Sequence, residues 1–199
     1  MTPWFLPVAR AVPAAALAAV VTFSSDHSTP LGFLVFGIWA VVTGGVLGVG
    51  ALRFAAGVER GIRLIQAVVT LVAGVVALAM PGGGLPFFIF LVTATAAITG
   101  FLELYLGLRA RGKDSSAKDS LFVGGLTALL AIVVLLVPPG FVQGFTGPDG
   151  VARELTASII VVGVLGAYWA IVAVYLVIAG LSLKWAPATP APVLVGETS

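Results

Sequence analysis

The sequence predicts an all-α integral membrane protein with six transmembrane helices arranged as three tandem helical hairpins. Three observations predict it. Hydrophobic residues make up 60 % of the 199 residues and charged residues 9 %, where a soluble domain carries roughly a quarter charged residues. The apolar residues gather into six runs, each near the roughly 20 residues a helix needs to cross a hydrocarbon core of about 30 Å. Lys and Arg fall almost entirely on one side of the alternating topology that those runs imply. Mean hydropathy is +1.17. Ten Lys and Arg with eight Asp and Glu are too few to coat a soluble surface, so a cytosolic enzyme, a disordered chain and a nucleic-acid binder are excluded.

The first run lies within 4–23 and is interrupted by Arg10. The others are 31–52, 64–80, 85–108, 121–137 and 157–183. None alternates as a lipid-facing strand does, so helices must satisfy the backbone in lipid. The breaks carry turn chemistry: SSDHSTP at 24–30, MPGGGLP at 80–86, the polar RARGKDSSAKDS at 109–120, and the long Gly- and Pro-rich stretch 138–154. The six-helix domain spans 1–184, with hairpin units at about 4–53, 62–109 and 120–184. The Pro/Ala-rich tail 185–199 is expected to be a disordered cytoplasmic segment. Residues 1–10 lack a basic n-region and a small-residue cleavage site, so the first run is expected to stay in the mature protein.

Nine basic residues share the side of the two termini: Arg10, Arg53, Arg60, Arg63, Arg109, Arg111, Lys113, Lys118 and Lys184. The opposite side has Arg153 alone. This asymmetry predicts that both termini are cytoplasmic and that 138–154 faces outward. Cysteine is absent and His27 is the single histidine. Thiol chemistry, disulfides and multi-histidine metal sites are therefore excluded. No phosphate-binding loop, HExxH, GxSxG or paired-carboxylate motif occurs, and the residues imply no catalytic site, cofactor or metal.

The even runs end alike. Gly44 precedes Arg53 by nine residues, Gly100 precedes Arg109 by nine, and Tyr175 precedes Lys184 by nine. The chain reads as three tandem hairpins, the third with an expanded outer loop. This arrangement resembles the HdeD family of small bacterial inner-membrane proteins, and the resemblance covers most of 10–184. It is best at 60–111, where a basic helix start, a mid-helix Gly, a Pro at the outer turn, then Gly and a terminal Arg follow the family pattern. The first unit departs from it through SSDHSTP, the third through its long loop and through Tyr175 in place of Gly. The resemblance implies a non-catalytic six-helix protein of a bacterial plasma membrane linked with acid or envelope stress tolerance. It supplies no catalytic residue.

Glu103 is the one acidic residue inside an apolar run. It lies about 8 Å from the helix end at 1.5 Å per residue, and an intramembrane carboxyl group is a functional candidate by default. It is expected to pair with a basic residue at its level, Arg10, Arg63 or Lys184, rather than to carry protons along a chain of titratable groups. Arg10 is expected to mark the cytoplasmic edge with its head in the phosphates, residues 1–9 lying along the interface; a buried Arg10–Glu103 pair is the alternative. Gly44 with Gly48, Gly166 with Ala170 and Ala73 with Ala77 are small-residue pairs for helix packing within the chain. Thr93, Thr95 and Thr99 are expected to bond their own helix.

On the outer side, Phe141, Gln143, Phe145, Asp149, Arg153 and Glu154 form a candidate contact loop. This loop is expected to pack over the helix ends, with its aromatic rings as anchors. Membrane lipids are the expected partners, with a homo-oligomer or a larger membrane complex open. Two other functions stand beside the family reading: an accessory subunit of a respiratory or envelope-building complex, and a small transporter or channel.

Overall fold

A computed structural model describes residues 3–112 and 117–185. The tail from residue 186 and part of the 109–120 loop lie outside the described residues. The six apolar runs form six helices: α1 (Phe5–Phe23), α2 (Thr29–Phe54), α3 (Gly57–Ala79), α4 (Gly84–Ala110), α5 (Ala117–Leu135) and α6 (Ala157–Lys184). All six are long and apolar enough to cross a membrane. Several reach past the apolar runs that encode them. α3 starts seven residues before Leu64, at Gly57, because a helix does not end where hydrocarbon ends and its polar first turn sits among headgroups. α1 begins at Phe5, so residues 5–9 belong to the spanning helix rather than lying along the interface.

The outward-facing side chains are those lipid would solvate: Val12, Val68, Phe90, Phe101 and Val174 are all largely exposed. Within the bundle the most extensive helix contacts are α2 with α3, α4 with α5, and α1 with α6. Intimate packing therefore falls between consecutive hairpin units, and the first helix closes on the last. The helices within each pair α1–α2, α3–α4 and α5–α6 touch less. Small residues explain the pairing. A Cβ on Gly44 would stand 2.9 Å from the Leu71 backbone N, and one on Gly100 2.8 Å from the Ala128 backbone N. Without side chains there, the backbones approach closely enough for dispersion to hold them in lipid.

The buried positions recur along the chain. Ala11, Ala14, Leu17, Ala18 and Val21 of α1 are matched 56 residues on by Ala67, Thr70, Ala73, Gly74 and Ala77 of α3. Those five, with Gln66, are matched 57 residues further by buried residues of α5. Every buried residue of α2 except Gly37 has a buried counterpart 56 residues on in α4, and every one except Val35 has one 129 residues on in α6. In this register Ala173, not Tyr175, takes the place of Gly44. The nine-residue spacing from Tyr175 to Lys184 therefore does not mark the packing position, because burial follows the seam and not the basic residue at the helix end.

The stretch 138–154 differs from its expectation. It forms an antiparallel ribbon, β1 (Val142–Thr146) and β2 (Ala152–Thr156), with Gln143 opposite Leu155 and Phe145 opposite Arg153. Its turn is closed by Gly147 and Gly150, whose N–H groups donate to the carbonyls of Val151 and Gly147. Every β1 side chain is exposed, so the loop is ordered by its own ladder rather than by packing over the helix ends. Among its residues Phe141 packs against the core, and Ala157 N–H donates to the Phe141 carbonyl. Phe145 is exposed.

Candidate functional site

Polar side chains inside the bundle converge at one level, toward the face where α1 begins and α6 ends. Glu103 lies seven residues before the end of α4, about 10 Å along the helix. Its side chain faces inward because the same face carries Ala96, Thr99, Gly100 and Leu106, all buried. Glu103 is 4 % exposed and Gln66 of α3 is 2 % exposed. Arg10 of α1 places Nη1 3.4 Å from Glu103 Oε1. Gln66 Nε2 donates a short hydrogen bond to Glu103 Oε2 and a longer one, 3.5 Å, to the Thr99 carbonyl. One carboxyl group thus joins three helices.

The register of buried positions shows why the cluster is built from these residues. Arg10, Gln66 and Val123 are counterparts, as are Leu47, Glu103 and Leu176. In the third unit both positions are apolar. In the second, Gln66 Nε2 donates to the Glu103 carboxyl group, while Gln66 Oε1 is buried without a partner among the described residues. In the first, Arg10 faces Leu47, which offers no acceptor, and so it reaches across to Glu103. The arginine expected in the headgroups is accordingly turned inward, with its side chain 17 % exposed.

Of the other candidates for Glu103, Arg63 is held by Glu59 one turn away, Nε to Oε1 at 2.8 Å. Lys184 lies over the Trp4 ring, 4.8 Å from its centroid, a cation–π contact of about 0.5–1 kcal/mol at an exposed site. Arg63 nevertheless lines the same cavity as Glu103. That half-open cavity is walled by Pro7, Arg10, Arg63, Glu103, Asp119, Ser120 and Leu176 among others. Two guanidinium groups face two carboxyl groups there, a balanced set. Asp119 accepts a 2.8 Å hydrogen bond from the Tyr175 hydroxyl, and Phe122 stacks on Tyr175 at 4.0 Å.

Above the cluster the interior closes. Phe33 and Phe88 pack at 4.8 Å between centroids and Trp39 and Trp169 at 5.8 Å, with Phe36 against Phe88. The hydroxyls of Thr70, Thr95, Thr99 and Thr127 donate to carbonyls four residues back in their own helices, leaving no continuous hydroxyl chain. Thr127 also meets the Tyr168 hydroxyl at 2.8 Å. The Thr93 hydroxyl, by contrast, is buried without a partner.

The outer loop residues are not brought to this site. Arg153 pairs with Asp149 on the ribbon, and Gln143, Phe145 and Glu154 are exposed along its strands. Gln66 was not anticipated from sequence. It is the one amide side chain within an apolar run, and its alignment with Arg10 at the 56-residue shift is the signal that points to it. Among the described residues, no group of three His, Cys, Asp or Glu side chains is placed to hold a metal ion. In comparisons with known proteins, no family model, curated protein or solved structure matches this chain.

Proposed function

We propose that the chain is a non-catalytic, multi-pass protein of HdeD-like type in a bacterial plasma membrane, with both termini cytoplasmic, serving acid or envelope stress tolerance. One observation carries the reading: the charged side chains inside the bundle, Arg10 and Glu103, pair with each other beside Gln66, and aromatic side chains pack together in the interior beyond them. Such an interior binds helices together and offers no path across the membrane. The recurrence of buried positions supports descent from a repeated hairpin, as in the family. The basic asymmetry supports the orientation.

The test pairs two measurements. Purified protein in liposomes should pass protons no faster than empty liposomes. Cells lacking the protein should lose survival at low external pH, restored by the wild type and by Glu103→Gln. Proton flux that disappears in Glu103→Gln would replace this reading with a transporter. A second reading, an accessory subunit of a larger membrane complex, is favoured by the ribbon, whose residues 142–146 and 152–154 are all exposed. It predicts a stoichiometric partner in mild detergent that is lost when the ribbon is removed.

A further inference from the structure

α1 is drawn onto α6 and α2 onto α3, so α1 and α2 touch each other far less than either touches its other neighbour, and near the ends that carry Phe5 and Phe54 it is those two rings that meet, edge to face at 5.8 Å. A half-open cleft lies there, lined by Leu6, Arg10, Leu47, Phe54, Glu59 and Arg63 among others. The matching seam between α3 and α4 is closed at this depth by the Gln66–Glu103 hydrogen bond. Between α1 and α2 the counterpart pair is Arg10 and Leu47, which cannot bond.

Arg10 is left with unused capacity. Its guanidinium has five donors, one of which reaches Glu103 at 3.4 Å, while its Nε is buried with no partner. A buried donor without an acceptor is costly. Arg63 lines the same cleft, and its bond to Glu59, whose side chain is 51 % exposed, is a surface pair of little strength. Each guanidinium thus has one carboxylate beside it, Glu103 for Arg10 and Glu59 for Arg63, and what the cleft offers a ligand is unused N–H donors rather than net charge. The rest of its wall, from Leu6, Val46, Leu47, Ala51 and Phe54, is apolar, and Phe54 and the Phe5 ring against it are each more than 40 % exposed.

We infer that this cleft is a binding site for one membrane phospholipid, its phosphate diester on Arg10 and Arg63 and an acyl chain along Leu6, Leu47 and Phe54. Planar guanidinium forks suit phosphate oxygens and make charge-assisted bonds with them. The phosphate supplies acceptors to an arginine that the chain itself leaves short of them. A phospholipid is favoured over a soluble anion because the cleft is walled by apolar side chains and opens where those side chains meet the bilayer.

Native mass spectrometry of the full chain, released from mild detergent, tests this. The wild type should retain one phospholipid per chain, and millimolar inorganic phosphate should not displace it. Arg63→Gln should lower occupancy about tenfold, the equivalent of 1.4 kcal/mol. Ala55→Trp, which fills the cleft from a lining position in extended backbone, should do the same while leaving the Arg10–Glu103 pair and the melting temperature unchanged. The inference is overturned if the wild type sheds all lipid, or if both variants keep wild-type occupancy. Displacement by inorganic phosphate would overturn it too, marking a site for a soluble anion.

Discussion

Replacing Glu103 by Leu restores the residue type its two counterparts carry, Leu47 and Leu176, yet it should be strongly destabilising. The substitution strips Arg10 of its only hydrogen-bond acceptor among the described residues and Gln66 of its closest one. Gln66 is 2 % exposed, so water cannot compensate. Breaking a buried pair by removing one partner costs about 3–5 kcal/mol. The triple variant Arg10→Val, Gln66→Val, Glu103→Leu gives the second-unit positions the Val123 and Leu176 chemistry of the third unit, and Arg10 the same Val. Replacing a whole buried polar group with apolar residues of similar volume is often neutral or stabilising by about 1–4 kcal/mol. The triple variant should therefore match or exceed the wild type. Glu103→Gln, which keeps an acceptor for Arg10, should lose about 1 kcal/mol. Tryptophan fluorescence during denaturant unfolding in one detergent reads all four proteins, since Trp39 and Trp169 sit in the core beside the cluster. A single Glu103→Leu variant as stable as the wild type, or a triple variant less stable than the single, would refute the reasoning.

Other expectations follow from the same geometry. Gly100→Leu should destabilise by at least about 1–3 kcal/mol in the same unfolding assay, because the new Cβ meets the backbone of α5 at 2.8 and 3.2 Å. Gly45→Ala, with nothing within 4 Å of its Cβ, should be stabilising by up to about 1 kcal/mol through helix propensity. Replacing the ribbon by a short Gly–Ser turn should leave bundle unfolding within about 1 kcal/mol of the wild type, since a lone two-stranded hairpin is marginal in water. Single cysteines at Ser24, Ser115 and Thr146 test orientation in intact cells: an impermeant maleimide should reach the first and third, and labelling Ser115→Cys alone would reverse the topology.

The six helices were legible because lipid imposes a long apolar run on each span, a signal that survives without any partner. Their pairing was less so. Gly44 and Gly166 advertise close approach, but nothing local says that Gly166 meets Val21 and Gly44 meets Leu71. The Arg10–Glu103 pair joins residues 93 apart in sequence, and only the rarity of a carboxyl group in an apolar run hinted at it. Gln66 leaves little mark in the sequence, because an uncharged amide hardly interrupts such a run. The ribbon was hidden for another reason. Gly144 breaks the strand pattern, and Pro148 with Gly150 reads as loop, although the same residues close the turn.

The central claim is a closed bundle, with the first helix seated on the last so that Arg10 is carried to Glu103. The chain has no cysteine, so an engineered pair gives an unambiguous signal. An ideal Cβ on Gly166 lies 3.1 Å from the Val21 Cβ, within a slight adjustment of the 3.5–4.5 Å typical of a disulfide. Val21→Cys with Gly166→Cys should oxidise to completion within single chains and give a compact, faster-migrating band on denaturing gels. Val12→Cys with Gly166→Cys, from the outward face of α1, should not. Failure of the first pair to cross-link in protein that is folded in its membrane would contradict the account.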